Sequence, residues 1–136
     1  MSDCIFCSIV RKEIPKEFIY EDEHIAAFLD IRPTQKGHTL IIPKKHSSTF
    51  LETESDVLTH IVHGVQRVAR ACVDAVTADG CNIVVNNGEA AGQIIFHLHW
   101  HIISRFSDDG LVQWPETQYH DGEAKEITER IRAILK

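Results

Sequence analysis

Three histidines alternate with apolar residues in one short run, His97-Leu98-His99-Trp100-His101. Side chains of a β-strand point alternately to its two faces, so residues two positions apart share a face. The run therefore predicts a strand over about residues 94–104, with three imidazoles in one row about 6.5 Å apart. The opposite face is apolar and predicts core packing by Phe96, Leu98, Trp100 and Ile102.

The row of imidazoles has three interpretations. It is the solvated face of a sheet, a cluster of three zinc ligands, or a nucleophilic histidine flanked by two helpers. Imidazole serves each chemical role near neutral pH. Tandem histidines opposite an apolar face are unusual for a surface that is merely solvated. The pattern therefore favours chemistry and leaves the two chemical alternatives open.

The length and composition of the chain limit the classes of function. Its 136 residues fit one domain with a sizeable core. The net charge of −6 argues against a general nucleic-acid-binding surface but leaves room for a local phosphate pocket. The chain has no apolar run of transmembrane length, and its first residues lack the pattern of a signal peptide. We expect a cytoplasmic protein with no nucleic-acid or membrane partner, whose four cysteines are thiols or metal ligands.

Hydrophobic periodicity predicts an α+β fold. Helical spacing is strongest over about residues 55–77, where apolar residues recur at steps of three and four. The other predicted elements are helices over 3–11 and 123–135 and strands over 18–20, 24–30, 39–42, 81–85 and 94–104. Several connections are too short for parallel crossovers. We expect one domain over residues 1–136, a mainly antiparallel sheet of about five strands with one long central helix and a C-terminal helix.

Cys4 and Cys7 form a Cys-x-x-Cys pair near the N-terminus. Two thiolates at this spacing can bind one tetrahedral zinc ion, which then needs two further ligands. Neither Cys72 nor Cys81 has a partner at chelating spacing, so histidines must complete such a site. His46 and one histidine of the triplet are the candidates. A redox dithiol is the competing interpretation, but no strand precedes the pair as it does in thioredoxin-like motifs.

Two further segments carry polar groups suited to a ligand. Residues 86–93 form a polar, glycine-containing loop that leads into the histidine run, and backbone N–H groups of such loops can bind anions. Asp30 ends a predicted strand, where its carboxylate either accepts hydrogen bonds from a sugar or caps a turn. His38 begins the next strand, and a lone histidine there is more often structural.

These segments together resemble the histidine triad family of nucleotide hydrolases and transferases. The family pattern is His-φ-His-φ-His-φ-φ, where φ is apolar, and residues 97–103 match it. The resemblance covers most of the chain and includes the Cys-x-x-Cys pair, Asp30-Ile31, residues 37–46 and Gly92-Gln93. It is closest to the Hint-like branch with its bacterial members. It implies a five-stranded antiparallel sheet, a homodimer with a continuous sheet and a purine nucleotide pocket.

The resemblance also implies a role for each site residue. His99 is the nucleophile toward the α-phosphate, His101 contacts the phosphate or the leaving group, and His38 is a supporting active-site histidine. Asp30 and Ile31 correspond to the ribose-binding pair. The pocket and phosphate-side positions are Asn86, Gly92, Gln93 and Ile94. Bacterial relatives with the Cys-x-x-Cys segment hold zinc at the positions of Cys4, Cys7, His46 and His97, which leaves His99 free for chemistry.

Three departures from the family pattern stand out. Ile94 replaces a serine whose hydroxyl reaches the phosphate in Hint relatives, although its backbone N–H remains. Ser104 replaces a common proline, and the loop before Trp114 is longer than in relatives whose corresponding segment reaches the partner's active site.

We therefore predict a hydrolase of purine nucleoside phosphoramidates or related 5′-phosphate derivatives that works through a covalent nucleotidyl-histidine intermediate. The alternatives are a dinucleoside polyphosphate hydrolase or nucleotidyltransferase, a zinc hydrolase that uses all three histidines as ligands, and a zinc-stabilised nucleotide-binding module with little catalysis.

Overall fold

The helices and strands follow the predicted order. A computed structural model describes residues 4–136, so Asp3, a predicted helix residue, lies outside the described residues. The elements are α1 (Ile5–Val10), β1 (Tyr20–Glu21), β2 (Ile25–Leu29), β3 (Thr39–Pro43), α2 (Ser55–Val76), β4 (Gly80–Val84), β5 (Trp100–Arg105) and α3 (Glu123–Leu135), with 3₁₀ turns at Phe50–Glu52 and Glu89–Ala91. The long central helix and the C-terminal helix were both predicted within a residue or two.

The described part of the chain forms a five-stranded sheet in the order β1-β2-β3-β5-β4. Every neighbouring pair is antiparallel, as expected from the short connections. This arrangement confirms the predicted α+β fold. β5, which carries the last triad histidine, lies between β3 and β4, and His101 is opposite Leu40 on one side and Val84 on the other. The histidine segment therefore leads into an interior strand, next to the edge strand β4.

The two faces of the sheet bury different clusters. Helix α2 covers one face, and its core comprises Ile25, Ala27, Ile41, Ile61, Val65, Val68, Ala69, Cys72, Leu98, Trp100 and Ile102. The other face packs on α1 through Phe6, Ile9, Ala26, Phe28, Leu40 and Ile42. Leu98, Trp100 and Ile102 thus face α2, as the alternation predicted. Helix α3 lies apart from both clusters and has no buried residue.

The histidine strand is shorter than predicted. It begins at Trp100, whereas residues 94–99 have irregular backbone. One reason is that the N–H of Leu98 donates to the carbonyl of Ser47 at 2.6 Å, outside any strand ladder. Phe96 is 47% exposed, so its predicted place in the core was wrong. Among residues 4–136, no helix is long and apolar enough to cross a membrane.

Candidate active site

Four side chains that the sequence predicted as zinc ligands converge on one point. Cys4 Sγ lies 3.3 Å from His97 Nδ1, and Cys7 Sγ lies 3.3 Å from His46 Nδ1 and 3.5 Å from His97 Nδ1. The two histidine Nδ1 atoms are 3.2 Å apart. All four donor atoms lie within 4.8 Å of one another. The cluster joins the start of α1, the segment after β3 and the segment before β5.

The geometry and protonation of this cluster fit a tetrahedral zinc ion. Ideal zinc–sulfur and zinc–nitrogen bonds place neighbouring donors about 3.3–3.8 Å apart, close to the separations here. The Nε2–H of His97 donates to the carbonyl of Pro43 at 2.8 Å, so its Nδ1 keeps a lone pair directed at the cluster. Burial lowers the pKa of His97 to about 4, which keeps the imidazole in the neutral form that binds metals.

Helix α1 is built to present the two thiols. Cys4 is its N-cap, and the N–H of Cys7 donates to Cys4 Sγ at 3.4 Å. One turn of helix therefore directs both sulfur atoms to the same side. Between them, Phe6 is buried against the histidine segment, with its ring centroid 5.7 Å from that of His97 and 5.2 Å from that of His99.

His99 is held in the tautomer that a nucleophile needs. Its Nδ1–H donates to the carbonyl of His97 at 2.8 Å. The proton therefore resides on Nδ1, and Nε2 carries the lone pair. The residue is 9% exposed, and burial lowers the pKa of its imidazole, although the His97 carbonyl and Asp30 oppose this shift. A neutral imidazole with a defined free nitrogen is the outcome.

A second chain of hydrogen bonds fixes His101 in the opposite tautomer to that of His99. The N–H of Thr34 donates to His38 Nδ1 at 3.0 Å, so His38 carries its proton on Nε2. That Nε2–H donates to His101 Nδ1 at 2.9 Å, which leaves His101 with a proton on Nε2. The ring centroids of His101 and His99 are 4.9 Å apart. One ring therefore offers a lone pair and its neighbour offers an N–H donor.

Burial keeps His38 and His101 in their neutral forms. It is the largest cause that lowers the pKa of His101 to about 4, followed by the charges of His99 and His38. Burial also lowers the pKa of His38, against the opposing charge of Asp30, whose Oδ2 lies 3.8 Å from His38 Nε2. The charge of this carboxylate opposes the lowering of the pKa of both His38 and His101.

The triad histidines do not share one metal site. His97 turns to the cysteines, while His99 and His101 are hydrogen-bonded elsewhere. Donor atoms of Asp30, His38 and His101 also lie within 4.8 Å of one another. However, the Thr34 N–H occupies His38 Nδ1 and places a proton on Nε2, the atom that would have to bind a metal. The arrangement contradicts a zinc hydrolase with three triad ligands.

Asp30 also borders a small pocket of about 300 Å³. The pocket is lined by Lys16, Glu17, Phe18, Ile19, Leu29, Asp30 and Ile31. The Oδ1 atom of Asp30 accepts the N–H of Arg32 at 2.9 Å, so the residue caps a turn as well as bordering the pocket. Ile31 is 79% exposed at the pocket. The pocket lining combines apolar side chains with the charged groups of Lys16, Glu17 and Asp30, and such a pocket is suited to a flat ring joined to a hydroxylated group.

The loop before the triad is held from within. Gly88 and Gly92 adopt φ angles of 90° and 96°, which favour glycine, and a Cβ on Gly92 would lie 3.6 Å from Asn86 Nδ2. The side chain of Gln93 is buried and bonded to backbone groups, so it does not open onto the pocket. Ile94 is 88% exposed. The backbone N–H groups of residues 94–96 donate to no acceptor within residues 4–136.

Sequence reasoning missed several groups that organise the site. Asn87 Oδ1 accepts the N–H of Phe50 and ties the loop to the segment after β3. The Thr34 N–H and the carbonyls of Pro43 and His97 set the histidine tautomers. Three of these four are backbone groups, and the residue type at a position does not show that its backbone has such a role.

The fold and site define a class: an α+β protein with a Cys₂His₂ cluster joined to a pair of buried histidines of complementary protonation. The sequence matches the HIT domain over residues 11–108. The protein belongs to the HIT family, which confirms the resemblance at the level of the family.

Two relatives named for an activity are similar to almost the whole of this chain. An adenosine 5′-monophosphoramidase of Schizosaccharomyces pombe is 37% identical over 135 residues, covering 98% of each chain. An adenylylsulfatase of Arabidopsis thaliana is 41% identical over 138 residues, covering 98% of this chain and 70% of the relative.

Solved structures agree with the fold. A protein of Streptococcus mutans superimposes with a TM-score of 0.93 and 39% identity, covering 100% of this chain and 87% of that chain. A zinc-bound histidine triad family protein of Mycobacterium smegmatis has a TM-score of 0.77 and 36% identity, covering 96% of this chain and 97% of that chain.

Proposed function

We propose that this protein is a nucleotide-binding hydrolase of the Hint-like branch that cleaves purine nucleoside 5′-phosphoramidates at the α-phosphate. The observation that carries the proposal is the hydrogen bond from His99 Nδ1–H to the His97 carbonyl. It leaves His99 Nε2 as a neutral nucleophile beside a ring that donates an N–H.

In the first step, His99 Nε2 attacks the α-phosphorus and the phosphorus–nitrogen bond to the amine breaks. The imidazole becomes positively charged, and the His97 carbonyl stabilises that charge through the same Nδ1–H bond. The amine leaves with a proton taken from water, while His101 Nε2–H, which His38 Nε2–H supports from the other side, donates a hydrogen bond to the phosphate or the leaving nitrogen. The N–H groups of residues 94–96, which have no acceptor among residues 4–136, are suited to bind the phosphate oxygens.

In the second step, water attacks the same phosphorus and the bond to His99 breaks. The attacking water releases a proton to solvent, which balances the proton that the amine took in the first step, and the nucleoside monophosphate is released. Both steps use groups that the fold already holds in the required tautomer, so no histidine has to rotate between them.

The pocket beside Asp30 supports a purine nucleoside as the bound group. Its apolar walls fit the base, and Asp30 with Ile31 fits the ribose. Asn86, Gly92, Gln93 and Ile94 complete the phosphate side through their loop. The relatives named for an adenosine phosphoramidate and for adenylylsulfate both support an adenylyl group on the substrate.

Cys4, Cys7, His46 and His97 would hold the zinc of this protein, which the zinc-bound relative supports. Bound zinc supplies a structural cross-link between α1, the segment after β3 and the histidine segment. His97 then anchors the carbonyl that orients His99.

We also propose that residues 1–136 form one HIT domain that pairs as a homodimer in the cytoplasm. Strand β4 is an edge of the sheet, and a groove of about 730 Å³ lies between it and α2. Val62 and Ile83 in this groove are 54% and 48% exposed. An apolar edge strand beside an apolar helix face is suited to continue the sheet into a second copy. Light scattering of Ile83→Glu against the wild type tests this pairing.

The activity is tested with adenosine 5′-phosphoramidate, following release of AMP, beside His99→Ala. Turnover that the substitution abolishes, with an adenylyl adduct on quenched wild type, is the expected result. The same assay with adenosine 5′-phosphosulfate and a dinucleoside polyphosphate ranks the leaving groups, and added sugar phosphate detects transfer. AMP binding without turnover of any of these substrates would refute the proposed hydrolase and favour a nucleotide-binding module.

A further inference from the structure

Gln93 is almost fully enclosed, with 2% of its surface exposed. Its Nε2 donates to the carbonyls of Ser48 at 2.8 Å and Ile95 at 3.1 Å. Its Oε1 accepts the N–H of Gly88 at 2.9 Å. One carboxamide therefore serves three backbone groups, which belong to both ends of its own loop and to a distant segment.

The distant segment follows the predicted zinc ligand His46 directly. The carbonyl of Ser47 accepts the N–H of Leu98, and the N–H of Phe50 donates to Asn87. Residues 47–50 are thus bonded to residues 87–98 at three places, and Gln93 forms the middle one. The loop is held against the segment that the Cys₂His₂ cluster anchors.

Few side chains can replace this carboxamide. Glutamate keeps the acceptor for Gly88 but directs its second carboxylate oxygen at two carbonyl oxygens. Methionine keeps the length and leaves all three backbone groups without their partner. Asparagine is one methylene shorter and does not span the same distance. The site therefore selects a group that donates twice and accepts once at this length.

We propose that Gln93 is a positioning residue for the phosphate, acting through the backbone of residues 94–96. Its bond to the Ile95 carbonyl sets the course of that segment, whose N–H groups meet no acceptor in the described part of the chain and which leads directly into His97. Gln93 itself does not touch the ligand. The inference rests on the proposed function for the identity of the bound nucleotide, and it assigns a phosphate-specific task to one buried amide.

Affinity for AMP and for adenosine separates positioning from general support of the fold. Calorimetric titrations are made on zinc-loaded wild type, Gln93→Met, Gln93→Glu and the exposed control Gln118→Met. We expect the two Gln93 variants to lose at least about tenfold in AMP affinity, with adenosine affinity within about threefold of wild type. Gln118→Met matches wild type for both ligands. With the phosphoramidate, kcat falls more than KM rises, because the phosphate carries more charge in the transition state.

Equal losses for AMP and adenosine, or no loss for either, would overturn the inference. Gln93→Glu keeps the bond to Gly88 and so keeps the test available if Gln93→Met does not fold. Wild type that binds AMP tightly yet turns over no substrate refutes the proposed hydrolase, while the ratio of the two affinities still decides the role of Gln93. Wild type that binds AMP no better than adenosine refutes the positioning role directly.

Discussion

Phe6 provides a test that separates stability from catalysis. The residue is 4% exposed, and its ring contacts Phe28, His97 and His99 edge-on. Ile9 lies one turn further along the same helix and is 5% exposed in the same cluster, with no ring contact to a histidine. The substitutions Phe6→Ala and Ile9→Ala therefore remove comparable burial from one helix, but only the first removes a wall of the histidine site.

The magnitudes follow from burial. Truncation of a buried phenylalanine costs about 3–5 kcal/mol, and truncation of a buried isoleucine about 2–5 kcal/mol. For a chain of 136 residues, each kcal/mol corresponds to roughly 3–4 °C in Tm. Both variants should therefore melt about 6–20 °C below wild type. Phe6→Ala also admits water to His99, which weakens the burial that lowers its pKa and loosens its position.

Thermal unfolding followed by circular dichroism, with zinc present throughout, measures the first effect. Phosphoramidate turnover at a temperature where all three proteins are folded measures the second. We expect Phe6→Ala to lose at least about tenfold in kcat while Ile9→Ala stays within about twofold of wild type. Equal losses of kcat would show that helix docking, rather than the ring, supports His99. A stability loss below about 1 kcal/mol for Phe6→Ala would refute the packing argument.

Three further predictions concern stability. The Ser104 hydroxyl is buried with no hydrogen-bond partner within the described residues. Ser104→Ala should therefore raise the free energy of unfolding by about 1 kcal/mol. An unchanged or lower free energy of unfolding in urea titrations would contradict this. The pKa of histidine is near 6.5 in the unfolded chain, whereas the pKa of His101 in the folded protein is about 4. The free energy of unfolding should therefore fall as the pH drops from 6.5 to 4, and His101 contributes up to about 1.4 kcal/mol per pH unit to this fall. His101→Asn should flatten that slope in denaturation curves measured from pH 7 to 4.5, and identical slopes would exclude His101 as the source. Cys7→Ser should reduce bound zinc measured by mass spectrometry and lower the Tm, and stoichiometric zinc in the variant would rule out this ligand set.

The sequence predicted those features of the fold that local residue patterns encode. The alternation at Leu98, Trp100 and Ile102 records burial against α2, and the three-and-four spacing of residues 55–77 records the opposite surface of that contact. Such patterns are local, so they survive in a single chain. The Cys-x-x-Cys spacing likewise suffices to put two thiols on one side of a helix turn.

The same alternation predicted too long a strand, because a hydrophobic pattern carries no information about backbone hydrogen bonds to other segments. The bond from Leu98 to Ser47 takes the backbone out of the ladder before residue 100, and Phe96 is left about half exposed. For Gln93, the sequence indicated a polar group near a phosphate, whereas the structure shows its amide enclosed and bonded to Ser48, 45 residues away.

By itself, the sequence determined the sheet and helix pattern, the donor types for a metal and the presence of three imidazoles in one segment. The tertiary structure decided which imidazole does what. His97 turns to the cysteines because the Pro43 carbonyl takes its Nε2–H, and His99 keeps a free Nε2 because the His97 carbonyl takes its Nδ1–H. Backbone carbonyls are the same in every residue, so only the fold, by placing them, distinguishes histidines that are alike in sequence.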